Sequence, residues 1–312
     1  MSAQQTLVAP APRARPAARR GWRREALTGW LFSAPFLLIF IVFLALPILA
    51  SAILSFTDFS LGNLVDPFSA RFIGLSNYAK LLHDPNFLQA ALTTTIFVVF
   101  GTVLNLAVGL AAAVALNRGI SRFRAVFRVG YYLPVVSSIV AVAVIWRFLF
   151  NADFGVVNGV LQIFGIKGPD WLGNPTLAVA IIVALMVWRN FGNAMIIFLA
   201  GLQGIPNDLY EAARIDGANR WQEFRSITLP MLKPTTLLLT VVTTIGFLQV
   251  FEEPFVMTQG GPLNKTRPIS MYVYQQGFNF FHQGYASAMA YTLFVVIAAV
   301  TLIQFRLLRS ET

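Results

Sequence analysis

Six long apolar stretches separated by short polar segments constrain this chain more than any other feature. Each is almost free of charge and is about 20 residues or longer, the length at which an α-helix crosses roughly 30 Å of hydrocarbon. They lie at residues 30–56, 88–116, 127–150, 176–201, 235–257 and 285–305. The runs are continuously apolar and do not alternate, which favours helices over a β-barrel. The sequence therefore predicts an all-α integral membrane protein with six transmembrane helices.

Composition supports the same class. The chain is 57% hydrophobic and 12% charged, whereas a soluble domain carries about 25% charged residues. The net charge of +10 does not indicate nucleic-acid binding, because the basic residues form short clusters between apolar spans. The chain has no cysteine and two histidines, so we expect neither a metal site nor a catalytic residue.

The basic clusters predict the orientation of the spans. Sixteen of the 23 lysines and arginines lie in residues 1–29, 118–128, 202–234 and 306–309. The positive-inside rule places all four segments, and therefore both termini, in the cytoplasm. Residues 1–29, rich in Ala, Pro and Arg, are predicted to be a disordered cytoplasmic tail. A signal peptide is the alternative, but the apolar run that follows is too long for one.

The most polar long segment after the tail lies at residues 206–230, within the predicted cytoplasmic loop 202–234. Local rules predict two short helices joined by a turn. Asp208 is expected to cap the first helix, with Glu211 three residues later in capping-box spacing. Gly217 tolerates the positive φ that the turn needs, and Pro230 is expected to end the second helix. An ordinary amphipathic loop between two membrane helices is the simpler alternative.

The amino-acid sequence of this loop resembles a motif of a known family. Glu211-Ala212-Ala213, then Gly217, then Ile227-Thr228-Leu229-Pro230 have the spacing of the "EAA" loop in the membrane subunits of binding-protein-dependent ABC importers. Three stretches, residues 72–87, 200–218 and 258–262, are similar to sugar permeases of the maltose and glycerol-3-phosphate uptake type. The resemblance extends over nearly the whole chain from about residue 30.

The resemblance implies a type I ABC importer transmembrane domain over residues 30–312. It implies a second homologous permease, forming a heterodimer, with two ATPase subunits and an extracytoplasmic solute-binding protein. The implied location is the cell membrane of a bacterium or archaeon, and the implied substrate is a sugar or a related polar solute. Residues implied to couple the chain to an ATPase are Glu211, Ala212, Ala213, Asp216, Gly217, Ala218, Leu229 and Pro230.

The sequence lacks the phosphate-binding pattern G-x-x-x-x-G-K-[ST]. We therefore expect no cofactor on this chain, and ATP with Mg on the partner ATPase. Compared with the maltose subunit, the chain lacks two further N-terminal spans and a large external domain. Maltose is for that reason not indicated as the particular substrate.

Arg189 is the one charge deep inside a predicted span, and such residues usually face a polar cavity. Helical spacing places it on one face with three other residues. The predicted substrate-path residues are Met186, Arg189, Asn190 and Asn193, with Gln249 and Glu252 on the next span. The alternative is that Arg189 pairs with Glu252 or Glu253 and only holds two helices together.

Two other classes of membrane protein remain as alternatives. A secondary transporter of a polar solute is expected to place coupling carboxylates near the membrane midplane, where this sequence places an arginine. A purely structural anchor needs neither the 206–230 pattern nor an intramembrane arginine. ATP dependence of uptake separates all three.

Overall fold

The computed structural model describes residues 19–66, 69–118 and 124–309. Helices and the loops that connect them make up the described residues, and the β-contact found among these residues is an isolated bridge between Thr57 and Phe72. Fifteen α-helices follow one another in these residues: α1 Arg19–Phe40, α2 Leu46–Leu54, α3 Ser76–His83, α4 Pro85–Arg118, α5 Arg124–Val136, α6 Ile139–Leu149, α7 Val156–Ile163, α8 Pro175–Gln203, α9 Asn207–Ile215, α10 Arg220–Glu223, α11 Leu229–Met231, α12 Lys233–Leu248, α13 Glu252–Thr258, α14 Ile269–Tyr274 and α15 Gln283–Arg309. The predicted all-α class is confirmed.

Four helical segments are long and apolar enough to cross a membrane: Thr28–Leu54, Pro85–Asn117, Pro175–Gln203 and Gln283–Leu307. Two bent helix pairs bring the number to six if each pair is one span. Each of the six overlaps one predicted apolar run, in order, but the fifth, the pair Arg220–Met231 with Lys233–Leu248, shares only residues 235–248 with the predicted run 235–257. The chain is therefore a multi-pass membrane protein.

The third predicted span, 127–150, is not one straight helix. It divides into α5 and α6, which are bent by 95° at Ser137 and Ser138. Pro134, which has no N–H, precedes the break. Ser137 then closes the end of α5, because its hydroxyl donates to the carbonyl of Leu133 and its N–H donates to that of Pro134.

The fifth predicted span, 235–257, also differs. Helix α12 ends at Leu248, and the chain then turns before α13 begins at Glu252. In one continuous helix the ring of Pro254 would clash with the carbonyl of Val250, four residues earlier. Placed in the first turn of a new helix, Pro254 meets no such carbonyl.

Contacts between residues divide the chain into two units. The first unit ends at Ser51, and the second begins at Ala52. The first unit is the helical run that starts at Arg19 and contains one π-turn, Ile41–Ala45, ahead of Pro47. Of the predicted disordered tail, residues 1–18 lie outside the described residues, whereas 19–29 are helical. For residues 19–29 the prediction of disorder is therefore wrong. The prolines of the tail all precede Arg19, so none of them prevents the helix of the apolar run from extending back towards the N-terminus as far as Arg19.

Helices α4 and α8 pack closely and form the centre of the second unit. A Cβ added at Gly109 of α4 would lie 2.6 Å from the Cβ of Ala194 on α8, so only glycine permits this approach. Gly192 allows a similar approach of α8 to α5, whose Tyr131 carbonyl would lie 2.2 Å from an added Cβ. Small residues at crossings are what let membrane helices pack at short distance.

Candidate coupling loop and intramembrane polar cluster

The segment 206–230, which we call the EAA loop, contains a helix and a glycine turn that the sequence predicts. Helix α9, Asn207–Ile215, is followed by Gly217 with φ of +80°. The N–H of Ala218 donates to the carbonyl of Ala213 at 2.9 Å, and the N–H of Gly217 donates to that of Arg214 at 3.1 Å. These two bonds form a Schellman motif, which satisfies carbonyls that a helix end leaves without partners.

The second half of the loop is capped by Asn219. Its side chain accepts from the N–H groups of Trp221 and Gln222, both at 3.0 Å, and Gln222 in turn accepts from the Asn219 N–H at 2.7 Å. This reciprocal pair is a capping box. Helix α10 passes through the π-turn Phe224–Thr228 into α11.

Two details of the predicted loop are wrong. Asp208 does not cap the first helix, because α9 begins one residue earlier and its cap position is Pro206, which makes no side-chain cap bond. Pro230 does not end the second helix either. The helical run continues one residue past it to Met231, and the π-turn Phe224–Thr228 immediately precedes the proline.

An ion pair and a hydroxyl pair hold the two halves of the EAA loop together. Nε of Arg214 on α9 donates to Oε1 of Glu223 on α10 at 2.9 Å, and the Glu223 side chain is 5% exposed. The hydroxyl of Tyr210 lies 3.0 Å from Oγ1 of Thr228, on the π-turn. The two halves of the loop are therefore joined into one ordered helical hairpin.

The predicted coupling residues lie on the exposed side of this hairpin. Glu211, Ala212, Asp216, Gly217, Leu229 and Pro230 are exposed, and Ala213 and Ala218 are half-buried. Glu211 lines a polar pocket of about 480 Å³ together with Arg214 and Arg220. Two large apolar side chains are also exposed, Ile215 at 86% and Trp221 at 67%. Exposed apolar groups beside charges are typical of a surface that binds another protein.

The intramembrane arginine has a carboxylate near it. Nη1 of Arg189 lies 3.9 Å from Oε1 of Glu253, with side chains 26% and 6% exposed. This distance is too long for a hydrogen bond, and the Nε of Arg189 is buried without a partner among the described residues. Of the two acids considered from the sequence, Glu253 is the one that Arg189 approaches.

The other predicted substrate-path residues do not share one open face. Met186 is fully buried in the core formed with Phe97 and Phe247. The Nδ2 of Asn190 donates to the Met186 carbonyl at 2.8 Å, whereas Asn193 is exposed. Gln249 and Glu252 are exposed but belong to different elements, because the helix ends between them. The structure thus brings Arg189 to Glu253, and of the four predicted residues on α8 it leaves Asn193 exposed, one turn from Arg189.

Sequence reasoning missed the residues that fix the loop internally, Tyr210, Arg214, Glu223 and Thr228. Their contacts join positions 9 and 18 residues apart. Because a turn of unknown geometry separates the two halves, no helical periodicity predicts these pairs. The opposite charges of Arg214 and Glu223 were the available signal.

The fold is that of a multi-pass helical membrane protein with an ordered helical hairpin between α8 and α12. The chain belongs to the family described as "Binding-protein-dependent transport system inner membrane component", whose model matches residues 105–310. It is thus a permease subunit of a binding-protein-dependent transport system.

Curated relatives agree with this family over most of their length. A probable ABC transporter permease protein, YesP of Bacillus subtilis (strain 168), is 40% identical over 293 residues, covering 92% of each chain. The lactose transport system permease protein LacF of Rhizobium radiobacter is 38% identical, covering 89% of this chain and 93% of that one. The arabinooligosaccharides transport system permease protein AraP of Bacillus subtilis is 35% identical, covering 96% and 95%.

Solved structures show the same fold. A chain of a bacterial ABC transporter involved in the import of the acidic polysaccharide alginate matches with a TM-score of 0.81 and 26% identity, covering 94% of this chain and 100% of that one. A bacterial alginate ABC transporter in complex with an alginate pentasaccharide-bound periplasmic protein matches with a TM-score of 0.82 and 25% identity, covering 94% and 97%. The predicted ABC importer transmembrane fold is confirmed.

Proposed function

We propose that this chain is one of two homologous permease subunits of an ATP-driven importer for a sugar or a related polar solute. The relatives named for lactose and arabinooligosaccharides, together with the alginate transporter structures, support a saccharide as substrate. The second permease is a distinct chain, and the pair encloses the translocation path. An extracytoplasmic binding protein delivers the solute to that path.

The single observation that carries this proposal is the ordered EAA loop. Its hairpin is held internally by the Arg214–Glu223 pair at 2.9 Å and exposes Glu211 and Ile215 on its surface. In our proposal the hairpin inserts into a cleft of a partner ATPase, which holds ATP and Mg. Because the hairpin is rigid, closure of the ATPase dimer moves α8 and α12, to which it is joined. That movement converts the translocation path from an inward-open to an outward-open conformation.

The orientation follows from the basic clusters. With the EAA loop and both termini in the cytoplasm, the segments around Ser76, Asn174 and Asn264 face outward. Since the chain has no cysteine, single cysteines report this directly. In intact cells Ser226→Cys should be shielded from an impermeant thiol reagent, whereas Ser76→Cys and Asn264→Cys should react. Labelling of Ser226→Cys from outside would reverse the orientation and remove the coupling role.

Arg189 contributes to the substrate path in this proposal. Burying a charge at this depth is unfavourable by about 2.5–3.5 kcal/mol on insertion scales, and Glu253 at 3.9 Å leaves its donors without a direct bond. The guanidinium therefore retains capacity to donate to hydroxyl oxygens of a solute. Asn193, exposed one turn further along α8, offers a second polar contact.

Reconstitution tests the function as a whole. The chain, its second permease, the two ATPases and the binding protein are placed in proteoliposomes, and uptake of candidate saccharides is measured. Uptake should require both ATP and the binding protein. Uptake that proceeds on an ion gradient without ATP would contradict the proposal.

A further inference from the structure

A pocket of about 420 Å³ lies where α3 ends and where the spans α4 and α15 begin. We call it the Asp84 pocket. Both histidines of the chain, His83 and His282, line it. Because two candidate membrane spans start beside it, at Pro85 and Gln283, the pocket lies at the level of a membrane boundary.

The floor of the Asp84 pocket is built from groups of low exposure. The hydroxyls of Tyr272 and Tyr285, both buried, each donate to Oδ2 of Asp84 at 2.7 Å, and Oδ1 accepts from the N–H of Asn86 at 2.9 Å. Burial opposes the charge of Asp84, but these hydrogen bonds outweigh it and lower the pKa of the carboxyl. Burial and the bond to Asp84 raise the pKa of Tyr272 to about 12. Asp84 is thus a fully bonded carboxylate.

Two cations flank this one carboxylate. Nζ of Lys80 lies 4.4 Å from the ring centroid of Tyr285, and the guanidinium of Arg267 lies 4.4 Å from that of Tyr272. Among the described residues, the Arg267 guanidinium donates to the side-chain amide oxygens of Asn86 and Gln275, which are neutral. Within the described part of the chain, the ammonium group of Lys80 makes no hydrogen bond or ion pair. The site therefore has excess positive charge and an ammonium group with donors to spare.

An exposed apolar side chain adjoins the pocket at His282. Phe280 is exposed at 58%, and its ring stacks on that of His282 with centroids 6.3 Å apart. The backbone around Phe280 is irregular. It contains the π-turn Gln275–Asn279 and a positive φ of 56° at Phe281. Such irregular backbone is held in place only where its surroundings fix it.

We propose that the Asp84 pocket binds the phosphate of an anionic glycerophospholipid. Lys80 donates to the phosphate oxygens, the rings of His83 and His282 flank the headgroup, and the acyl chains run from Phe280 along the adjoining spans. Cationic and aromatic groups at a membrane boundary fit this headgroup region. The inference depends on the membrane location of the family and not on which end of the molecule faces the cytoplasm.

The test uses the importer purified as an assembled complex in detergent. Native mass spectrometry measures binding of dioctanoyl phosphatidylglycerol, with dioctanoyl phosphatidylcholine for comparison. Lys80→Ala is the test variant, and Lys167→Ala, an exposed lysine on the α7–α8 connection, is the matched control. Losing one charged hydrogen bond should weaken phosphatidylglycerol binding about tenfold. Lys167→Ala should leave binding unchanged, and Lys80→Arg should retain most of it.

Several results would overturn the proposal. One is equal binding by Lys80→Ala and Lys167→Ala, and another is equal affinity for the two lipids. Displacement by inorganic phosphate at the same concentration as the lipid would identify a site for free anions. Unchanged lipid binding by Lys80→Ala, with weakened binding of the extracytoplasmic protein, would identify a protein-docking surface. A melting temperature equal to that of the unmodified complex confirms that Lys80→Ala is folded.

Discussion

Replacing Gly217 by valine tests whether the shape of the EAA loop is needed. Gly217 has φ of +80°, a conformation that residues with a Cβ rarely adopt. No atom lies within 4 Å of a Cβ added there. We therefore expect the substitution to act through the backbone conformation, since a Cβ at this position meets no neighbouring atom.

The magnitude follows from the left-handed conformation. It is unfavourable by roughly 1–2 kcal/mol for a residue with a Cβ, and a β-branched side chain lies at the upper end. Since 1.4 kcal/mol is a factor of ten, the Schellman turn should form about five- to thirtyfold less readily. The affinity of the loop for the ATPase should fall by a similar factor.

Gly204→Ala is the matched control. Gly204 lies just before the same loop, at the end of α8, but its φ is −82°. A Cβ there would lie 3.4 Å from the Gly201 carbonyl, an ordinary contact. The assay is binding-protein-stimulated ATP hydrolysis in proteoliposomes, together with retention of the ATPase during purification. Gly217→Val should lower both, and Gly204→Ala should lower neither. Equal activity of Gly217→Val and the unmodified complex would refute the reasoning.

Three further predictions concern single side chains. Glu211→Ala should weaken retention of the ATPase less than Gly217→Val does, since it removes one surface contact and leaves the turn intact; a larger loss than that of Gly217→Val would contradict this ranking. Arg189→Ala should impair uptake while the complex still assembles; failed assembly would show a helix-pairing role only, and normal uptake would exclude both roles. Asp84→Asn should lower the melting temperature at neutral pH. Because the folded pKa of Asp84 is lowered, its stabilisation is present above the ordinary carboxyl range and is lost as the pH falls through the folded pKa. The difference between Asp84→Asn and the unmodified chain should therefore shrink in acid, and a difference independent of pH would contradict the assignment.

Sequence reasoning predicted features that depend on local rules. The six apolar runs gave the helical segments that are candidates to cross the membrane, and the position of Gly217 gave the left-handed turn. Both follow from short-range physics, namely the length of the hydrocarbon layer and the freedom of a residue without a Cβ. The predicted roles of the coupling residues remain predictions.

Features that depend on tertiary contacts were not predictable in this way. The hydropathy of an apolar run does not depend on whether its helix is straight or broken. The bend at Ser138 and the end of α12 at Leu248 were therefore not predicted. The helix break then separated Gln249 from Glu252. The bonds from Tyr272 and Tyr285 to Asp84 span 188 and 201 residues, and no local pattern indicates which distant side chains will meet.

Contact between the EAA loop and an ATPase is the central claim, and cross-linking measures it most directly. Ile215→Cys gives this otherwise cysteine-free chain one thiol, at a position 86% exposed on the hairpin. In the assembled importer a short bifunctional reagent should join this residue to the ATPase, with a yield that changes when ATP is added. The same reagent should not join Asn264→Cys, on the opposite side of the membrane in our account, to the ATPase. A cross-link from Asn264→Cys but none from Ile215→Cys would contradict the account.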